Sequence, residues 1–389
     1  MALLTAKKIH NGHGWLPDGS VIEVADDGTV LSLQNGPLPE AVFYDGVLTP
    51  GFVNVHCHLE LSHMRGVVQE NTGLIPFLKK IPQHRNDFTG EQKKAARFAG
   101  YNELLRNGVV AVGDISNTTD TIDLRALDSL HVHTFIETIG FNEDKAKESF
   151  GYALNTYSSY VAQPCNEKVL RQSIVPHAPY SVSSSLFRLI DAHNPGALIS
   201  IHNQESDEED LYYRFKKGRV PELLALFGID DSTFVPSGRS SLQTYMDWLS
   251  PGHPFIFVHN TRSTREDIQY AIGRCNEPYW CLCPNANLYI ENRLPDIDML
   301  MSEGANICIG TDSLASNHQL CIVSELYSIK KHFPHLDWET LFTWATRNGA
   351  AALQMLGVIG IIETGKKPGI LQVTGLEEIA VKPFVNRIV

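Results

Sequence analysis

Five side chains able to bind a cation stand at the ends of separate apolar runs. The first run, 51–56, continues as Asn54-Val55-His56-Cys57-His58. Residues i and i+2 of a strand point to the same side, so His56 and His58 converge on one point. Ile199-Ser200-Ile201 leads into His202-Asn203-Gln204-Glu205, Phe257-Val258 into His259-Asn260, and Cys308-Ile309-Gly310-Thr311 into Asp312. If these runs are parallel strands of one closed sheet, their C-terminal ends open on one face. Three or four imidazoles and a carboxylate there suit a divalent ion of the zinc or iron type, with a position open for water. Taken singly, each motif has a plainer reading: His202 or His259 as a satisfied or exposed histidine, Asp312 as the cap of a following helix. Those readings give no reason for strand-end placement in several separate units.

The elements that must position these groups can be read along the chain. Short apolar runs at 51–56, 109–115, 131–138, 172–176, 197–202, 254–259, 279–283 and 306–310 alternate with segments of helical spacing. The clearest helix is 91–107, closed by Gly108 as a C-cap. Eight near-continuous apolar strands, each followed by helix or long loop, form the pattern of a parallel closed barrel. An open doubly wound sheet also alternates, but it has no reason to set polar groups at so many strand ends. Residues 1–48 read instead as short strands, two of which flank the Asp26-Asp27-Gly28 turn. Strand-like pieces return at 370–373 and 379–381. The expected fold is α/β: a (β/α)8 TIM-type barrel over 49–362, with a small β-sandwich domain formed by both chain ends, 1–48 and 363–389.

The 389 residues carry 32 Lys+Arg against 44 Asp+Glu, a net charge of -12. That balance argues against a general nucleic-acid or anionic-membrane binder, since both prefer cationic surfaces. Hydrophobic residues at 43% with 20% charged make a globular composition. Seven dispersed cysteines, an odd number, argue against a disulfide framework and for a reducing compartment. No run approaches the roughly 18 uninterrupted apolar residues of a membrane span. The expectation is a cytoplasmic protein with a small-molecule substrate, no nucleic-acid or membrane partner, and a homodimer left open.

Leu48-Thr49-Pro50-Gly51-Phe52-Val53-Asn54-Val55-His56-Cys57-His58 resembles the first-strand signature of the amidohydrolase superfamily. His177-Ala178-Pro179-Tyr180-Ser181, His202-x-x-Glu205, His259, Cys283-Pro284-x-Ala286-Asn287 and Gly310-Thr311-Asp312-Ser313 follow in the order of its metal-dependent deaminase and chlorohydrolase branch. The resemblance implies that His56, His58, His202 and Asp312 bind one divalent ion, zinc first and iron second. It implies that Glu205 shuttles protons, that His259 holds the attacking water, that Asp312 takes its proton, and that His177 contacts the substrate. Strand four ends Ile174-Val175-Pro176-His177, with no lysine to bridge a second metal. Glu60 and Arg65, just after the H-x-H pair, and Asn317, just past Asp312, are read as bordering the pocket. Phe77, Tyr180 and Trp248 are core residues that could stack on a ring, and the acidic run 207–210 reads as a solvated helix start. The implied activity is hydrolytic deamination of an amino-substituted heterocycle, such as a purine nucleoside derivative. The alternatives are hydrolysis of another C–N or a C–Cl bond by the same water, and a catalytically silent metal- or ligand-binding barrel. The chain departs from the branch at Ala286, usually Ser, at Glu291-Asn292-Arg293, usually Gly, and at Pro368-Gly369.

Overall fold

The computed structural model describes residues 1–164, 167–376 and 383–389. Four strands open the chain: β1 (Ala2–Ile9), β2 (Val21–Val24), β3 (Val30–Gln34) and β4 (Val42–Pro50). Eight more follow: β5 (Phe52–Cys57), β6 (Val109–Ser116), β7 (His131–Thr138), β8 (Leu170–Pro176), β9 (Ile199–Asn203), β10 (Phe255–His259), β11 (Tyr279–Leu282) and β12 (Asn306–Ile309). β13 (Ile370–Thr374) and β14 (Phe384–Arg387) close it.

Strands β5 to β12 form two parallel four-stranded sheets, β5-β6-β7-β8 and β12-β11-β10-β9. β6 and β7 are buried over their whole length. Burial on both faces is what their unbroken apolar runs require. The two sheets bond where their edges meet. The backbone N–H groups of Thr311 and Asp312 both donate to the His56 carbonyl at 3.0 Å. Beneath them, Asn54 Nδ2 donates to Thr311 Oγ1 at 2.8 Å and Thr311 N donates to Asn54 Oδ1 at 3.1 Å. At the opposite edge His202 N donates to the His177 carbonyl at 3.0 Å. The helix read at 91–107 runs Gly90–Arg106, opened by a capping box of Thr89 and Gln92 and followed by Gly108 at φ +77°. No helix among the described residues is long and apolar enough to cross a membrane.

Both chain ends meet in one mixed six-stranded sheet, ordered β14-β13-β4-β1-β2-β3. The β2–β3 hairpin turns at Asp26-Asp27-Gly28, with Gly28 at φ +85°. The expectation was a sandwich; among the described residues the ends make a single sheet. A strand count does not fix the number of layers. β4 also runs on to Pro50, past the expected boundary at residue 48, and pairs with β13 there. The piece read as strand at 379–381 lies outside the described residues.

This sheet is tied to the rest of the chain through His10, which is fully buried. Its ring lies 5.3 Å from Trp15 and 5.7 Å from Phe342. Gly12 N donates to Nδ1 at 3.2 Å, which leaves the ring proton on Nε2, 3.3 Å from Thr343 Oγ1. Burial lowers the His10 pKa to about 4. The unfolded chain therefore binds this proton first as pH falls. The stability this neutral ring supplies is complete above about pH 6.5 and is lost as pH drops towards 4. His10→Gln should remove on the order of 2 kcal/mol of pH dependence across that window. Urea unfolding of both proteins at several pH values reads it, and a constant difference between them would refute the assignment.

Candidate metal centre and its cavity

His56 and His58 leave the end of β5 with their Nε2 atoms 3.2 Å apart. Asp312 Oδ1 lies 3.5 Å from His56 Nε2 and 3.3 Å from His58 Nε2. The His202 ring, at the end of β9, stands 4.9 Å from that of His56 and 5.4 Å from that of His58. His259, ending β10, lies 5.5 Å from His202. One donor atom each from His56, His202, His259 and Asp312 falls within 4.8 Å of the others. None of these five residues is more than 8% exposed.

The strand ends turn sharply to achieve this. Gln204, His259, Asn260 and Asp312 all have left-handed backbones, with φ of +47°, +75°, +61° and +57°. Such a conformation costs a non-glycine residue about 1 kcal/mol. Local hydrogen bonds offset it: Asn260 N donates to the Asn203 carbonyl at 3.0 Å, and Asn260 Nδ2 to the Phe257 carbonyl at 2.8 Å.

Hydrogen bonding also sets the rings. His202 Nδ1 lies 2.9 Å from the His177 carbonyl, so it holds the proton and the Nε2 lone pair faces the cluster. Asn287 Nδ2 donates to His259 Nδ1 at 3.1 Å, which leaves the Nε2 proton aimed at the site, 3.7 Å from Glu205 Oε1. Burial, with repulsion from neighbouring imidazoles, lowers His58 to about 3 and His202 well below the ordinary range. Burial likewise takes His177 and His259 to about 4. Neutral imidazoles are the metal-binding form. Burial opposes ionisation of Asp312, but the facing imidazoles hold its pKa well below the ordinary carboxylate range. Neutral imidazoles gathered around an ionised carboxylate, with the Nε2 lone pair of His202 turned into the cluster, fit a divalent cation of the zinc or iron type.

A cavity of about 370 Å³ lies over this cluster. His58, His177, His202, Glu205, His259 and Asp312 form its floor. Phe77 and Tyr180 line it too, whereas Trp248 packs on Phe187. A polar annex of about 460 Å³ shares Arg85, Asn117, Glu137 and Ile139 with it.

Three residues expected at the pocket lie elsewhere. Glu60 is buried beneath the rim, where Oε2 accepts from Asn117 N at 3.1 Å and Thr118 Oγ1 at 3.3 Å. Arg65 pairs outward with Glu103. Asn317 Nδ2 donates to the Thr311 carbonyl at 2.9 Å and to Glu325 Oε1 at 2.8 Å, tying down the loop that carries Asp312. None of the three lines the cavity. The acidic run 207–210 is not uniformly solvated either. Glu209 is 1% exposed and accepts from Gln204 N at 3.1 Å, Glu205 N at 3.4 Å and the Ser241 hydroxyl. It holds the turn that presents Glu205. Glu137, 3.5 Å from His202 Nδ1, was also not read from the sequence. A lone acid at the end of an apolar strand, Phe135-Ile136-Glu137, was its signal.

A buried acid, aimed imidazole donors and a cation-binding cluster under one cavity define a metal-dependent hydrolytic centre. Residues 47–385 match the family model described as Amidohydrolase family, and the chain belongs to that family. An adenosine deaminase of Helicobacter pylori is 26% identical over 376 residues, spanning 94% of this chain and 88% of that protein. An aminodeoxyfutalosine deaminase of Nitratiruptor sp. is 27% identical over 328 residues, 83% of this chain and 77% of that one. The crystal structure of Helicobacter pylori aminofutalosine deaminase with methylthio-coformycin superposes with a TM-score of 0.82 at 20% identity, covering all of both chains. A zinc complex of atrazine chlorohydrolase TrzN from Arthrobacter aurescens superposes with a TM-score of 0.73 at 16% identity, over 95% of this chain and 86% of that one. The fold is thus mixed α/β, of the TIM-barrel type found in amidohydrolases.

Metal-stripped protein should take up about one equivalent of zinc or iron(II), with a rise in Tm that follows ion concentration. Asp312→Asn and His202→Asn should each weaken that uptake by about tenfold or more. Uptake undiminished in both variants would show that the cluster does not hold the ion.

Proposed function

We propose that this chain is a mononuclear, metal-dependent deaminase acting on an amino-substituted purine nucleoside. The observation that carries the reading is the opposite treatment of two carboxyl groups in one cavity. Burial pushes Glu205 well above the ordinary carboxylate range, with Asp312 and Glu209 adding repulsion, while the imidazoles keep Asp312 ionised. Two titratable groups driven apart are an acid and a base. The deaminase relatives support the same reaction.

His56, His58, His202 and Asp312 would hold the ion, with zinc as its first identity. When bound, such an ion lowers the pKa of a water to about 7 and so supplies a nucleophile near neutrality. This chain's own groups do the remaining work. Protonated Glu205 donates to the ring nitrogen beside the carbon that bears the amino group, which makes that carbon electrophilic. As the water oxygen bonds to this carbon, Asp312 takes a proton from it. His259 Nε2 donates to the same oxygen and stabilises the charge that develops there. Asp312 then passes its proton to the amino nitrogen, the C–N bond breaks and ammonia leaves. The hydroxyl proton of the tetrahedral centre returns to Glu205. The product carries a ring carbonyl beside an N–H, and both carboxyl groups regain their starting states. His177, held by Ser181 Oγ at 2.6 Å, faces the substrate.

We read β5 to β12 as one closed eight-stranded barrel carrying all of this chemistry, over 49–362, with the sheet of both chain ends as a separate small domain. The chlorohydrolase neighbour keeps a second reading open, displacement of chloride by the same water. Ammonia release distinguishes the two. Zinc-loaded protein should release ammonia from adenine nucleosides. Glu205→Gln should keep its bound metal and lose about 10²–10⁴-fold in kcat. Failure of the metal-loaded protein to release ammonia from any purine nucleoside would refute the deaminase reading, and undiminished turnover in Glu205→Gln would remove that residue from it.

A further inference from the structure

Two acids four residues apart sit at one corner of the floor in opposite company. Glu205 leaves the turn after β9, and Glu209 stands in the first turn of the helix Asp207–Phe215. Both are buried, and only Glu205 lines the cavity. Three donors converge on the Glu209 carboxylate. Gln204 N, at 3.1 Å, and the Ser241 hydroxyl reach Oε1, and Glu205 N reaches Oε2 at 3.4 Å. Among the described residues no hydrogen bond reaches the side-chain oxygens of Glu205, and His259 Nε2 stands 3.7 Å from Oε1.

Hydrogen bonds given to a buried carboxylate favour its charged form, whereas a bare carboxyl in the same surroundings keeps its proton. Burial raises Glu209 to about 7 and Glu205 well above the ordinary range, and the Glu209 charge adds to the rise of Glu205. The turn between the two acids has little freedom. Gln204 has φ +47°, Arg262 N donates to its carbonyl at 2.9 Å, and Thr261 Oγ1 donates to the Glu205 carbonyl. The ionisable groups around Glu205 are His259, Asp312, Tyr180 and Glu291, the last bound to the Leu74 N–H at 2.6 Å. Those around Glu209 are Asp210, Tyr213 and Tyr245. The cations of this segment are engaged elsewhere, Arg214 with Asp210 and Arg262 with Asp207.

We propose that Glu209 is a positioning residue for proton transfer: its carboxylate takes the charge of this corner and fixes the turn, so that Glu205 meets the substrate as a proton-bearing acid. The step it serves rests on the deaminase reading, while the division of proton and charge between the two acids does not. Glu205 gives its proton to the ring nitrogen and regains one from the tetrahedral hydroxyl; Glu209 exchanges none. Without the neighbouring charge Glu205 ionises at lower pH, so the acid form is lost sooner as pH rises. The alkaline limb of kcat follows that loss.

The test uses metal-loaded protein and the isosteric variant Glu209→Gln. That variant should take up metal as wild type does and keep KM for adenosine within about twofold, while kcat falls about tenfold and its alkaline limb moves about one pH unit lower. Glu209→Asp keeps a charge with shorter reach, so kcat should fall while the limb stays near its wild-type place. Asp207→Asn, which alters an exposed acid of the same helix start, should match wild type. Infrared difference spectroscopy reads the proton without turnover. The protonated-carboxyl band that Glu205→Gln removes should fade about one pH unit lower in Glu209→Gln than in wild type. If wild type releases no ammonia from any purine nucleoside, the deaminase reading falls, and the infrared band alone decides the division of proton and charge. A band removed by Glu209→Gln instead of Glu205→Gln, a limb and band unmoved in Glu209→Gln, or an equal shift in Asp207→Asn would each overturn the proposal.

Discussion

An ionised carboxylate buried among neutral imidazoles is the constraint on which this structure turns. Asp312 is 6% exposed, and withdrawing its charge from water costs several kcal/mol. The rings of His58, His202 and His259 are driven towards their neutral form and repay only part of that cost. A cation in their midst can repay the rest. The closure of the two parallel sheets serves the same end, because the Asn54–Thr311 exchange and the paired N–H bonds to the His56 carbonyl fix Asp312 against the H-x-H pair. A shift of half an ångström at that seam would separate the donors.

Around this centre the acidic residues act as fasteners more than as surface charge. Burial raises Glu60, Asp114, Glu137 and Glu209 to about 7 and Glu325 to about 8. Each accepts from a segment beyond the C-terminal ends of the parallel strands. Asp114 takes Leu59 N at 3.1 Å, Glu60 and Glu137 share Asn117, Glu209 takes the turn before Glu205, and Glu325 takes Asn285 N at 2.8 Å. Part of the negative balance of the composition is therefore interior. Loops that carry function must be held still by something other than packing, and a buried carboxylate that accepts several N–H groups does this.

The floor of the site was legible because strand geometry obeys short rules. Period-two spacing put His56 and His58 side by side, and one sheet direction put His202, His259 and Asp312 at the same end. Proximity in sequence was a poorer guide. Glu60 and Arg65 follow the H-x-H pair, but Leu59–Met64 is a 3-10 helix that buries Glu60 and leaves Arg65 beyond its end, facing out. Asn317 follows Asp312 closely and spends its amide on the loop itself. Glu209 was hidden inside an acidic run whose neighbours are solvated, and only its helical phase separates it from them. The layering of the terminal strands was not legible either, since pairing partners such as β4 and β13 lie more than 300 residues apart.

Chemistry and recognition are therefore built from different material. The floor groups come mainly from the strand ends and the turns just beyond them, in a scaffold whose shape the whole hydrogen-bond ladder maintains. The apolar wall comes from helices inserted in the loops, and its attachment at Glu291 and Leu74 spans 217 residues of sequence. Ladder bonds repeat with a fixed period and leave a pattern in sequence. A cap supplied from another helix leaves none, because any acceptor at the right place would serve. That asymmetry explains why the floor groups of this chain can be read from its residues while the attachment of the cavity wall emerges only from the packed structure. Wall and floor are not independent, because the helix Pro284–Glu291 that accepts the Leu74 N–H through Glu291 also holds His259 through Asn287.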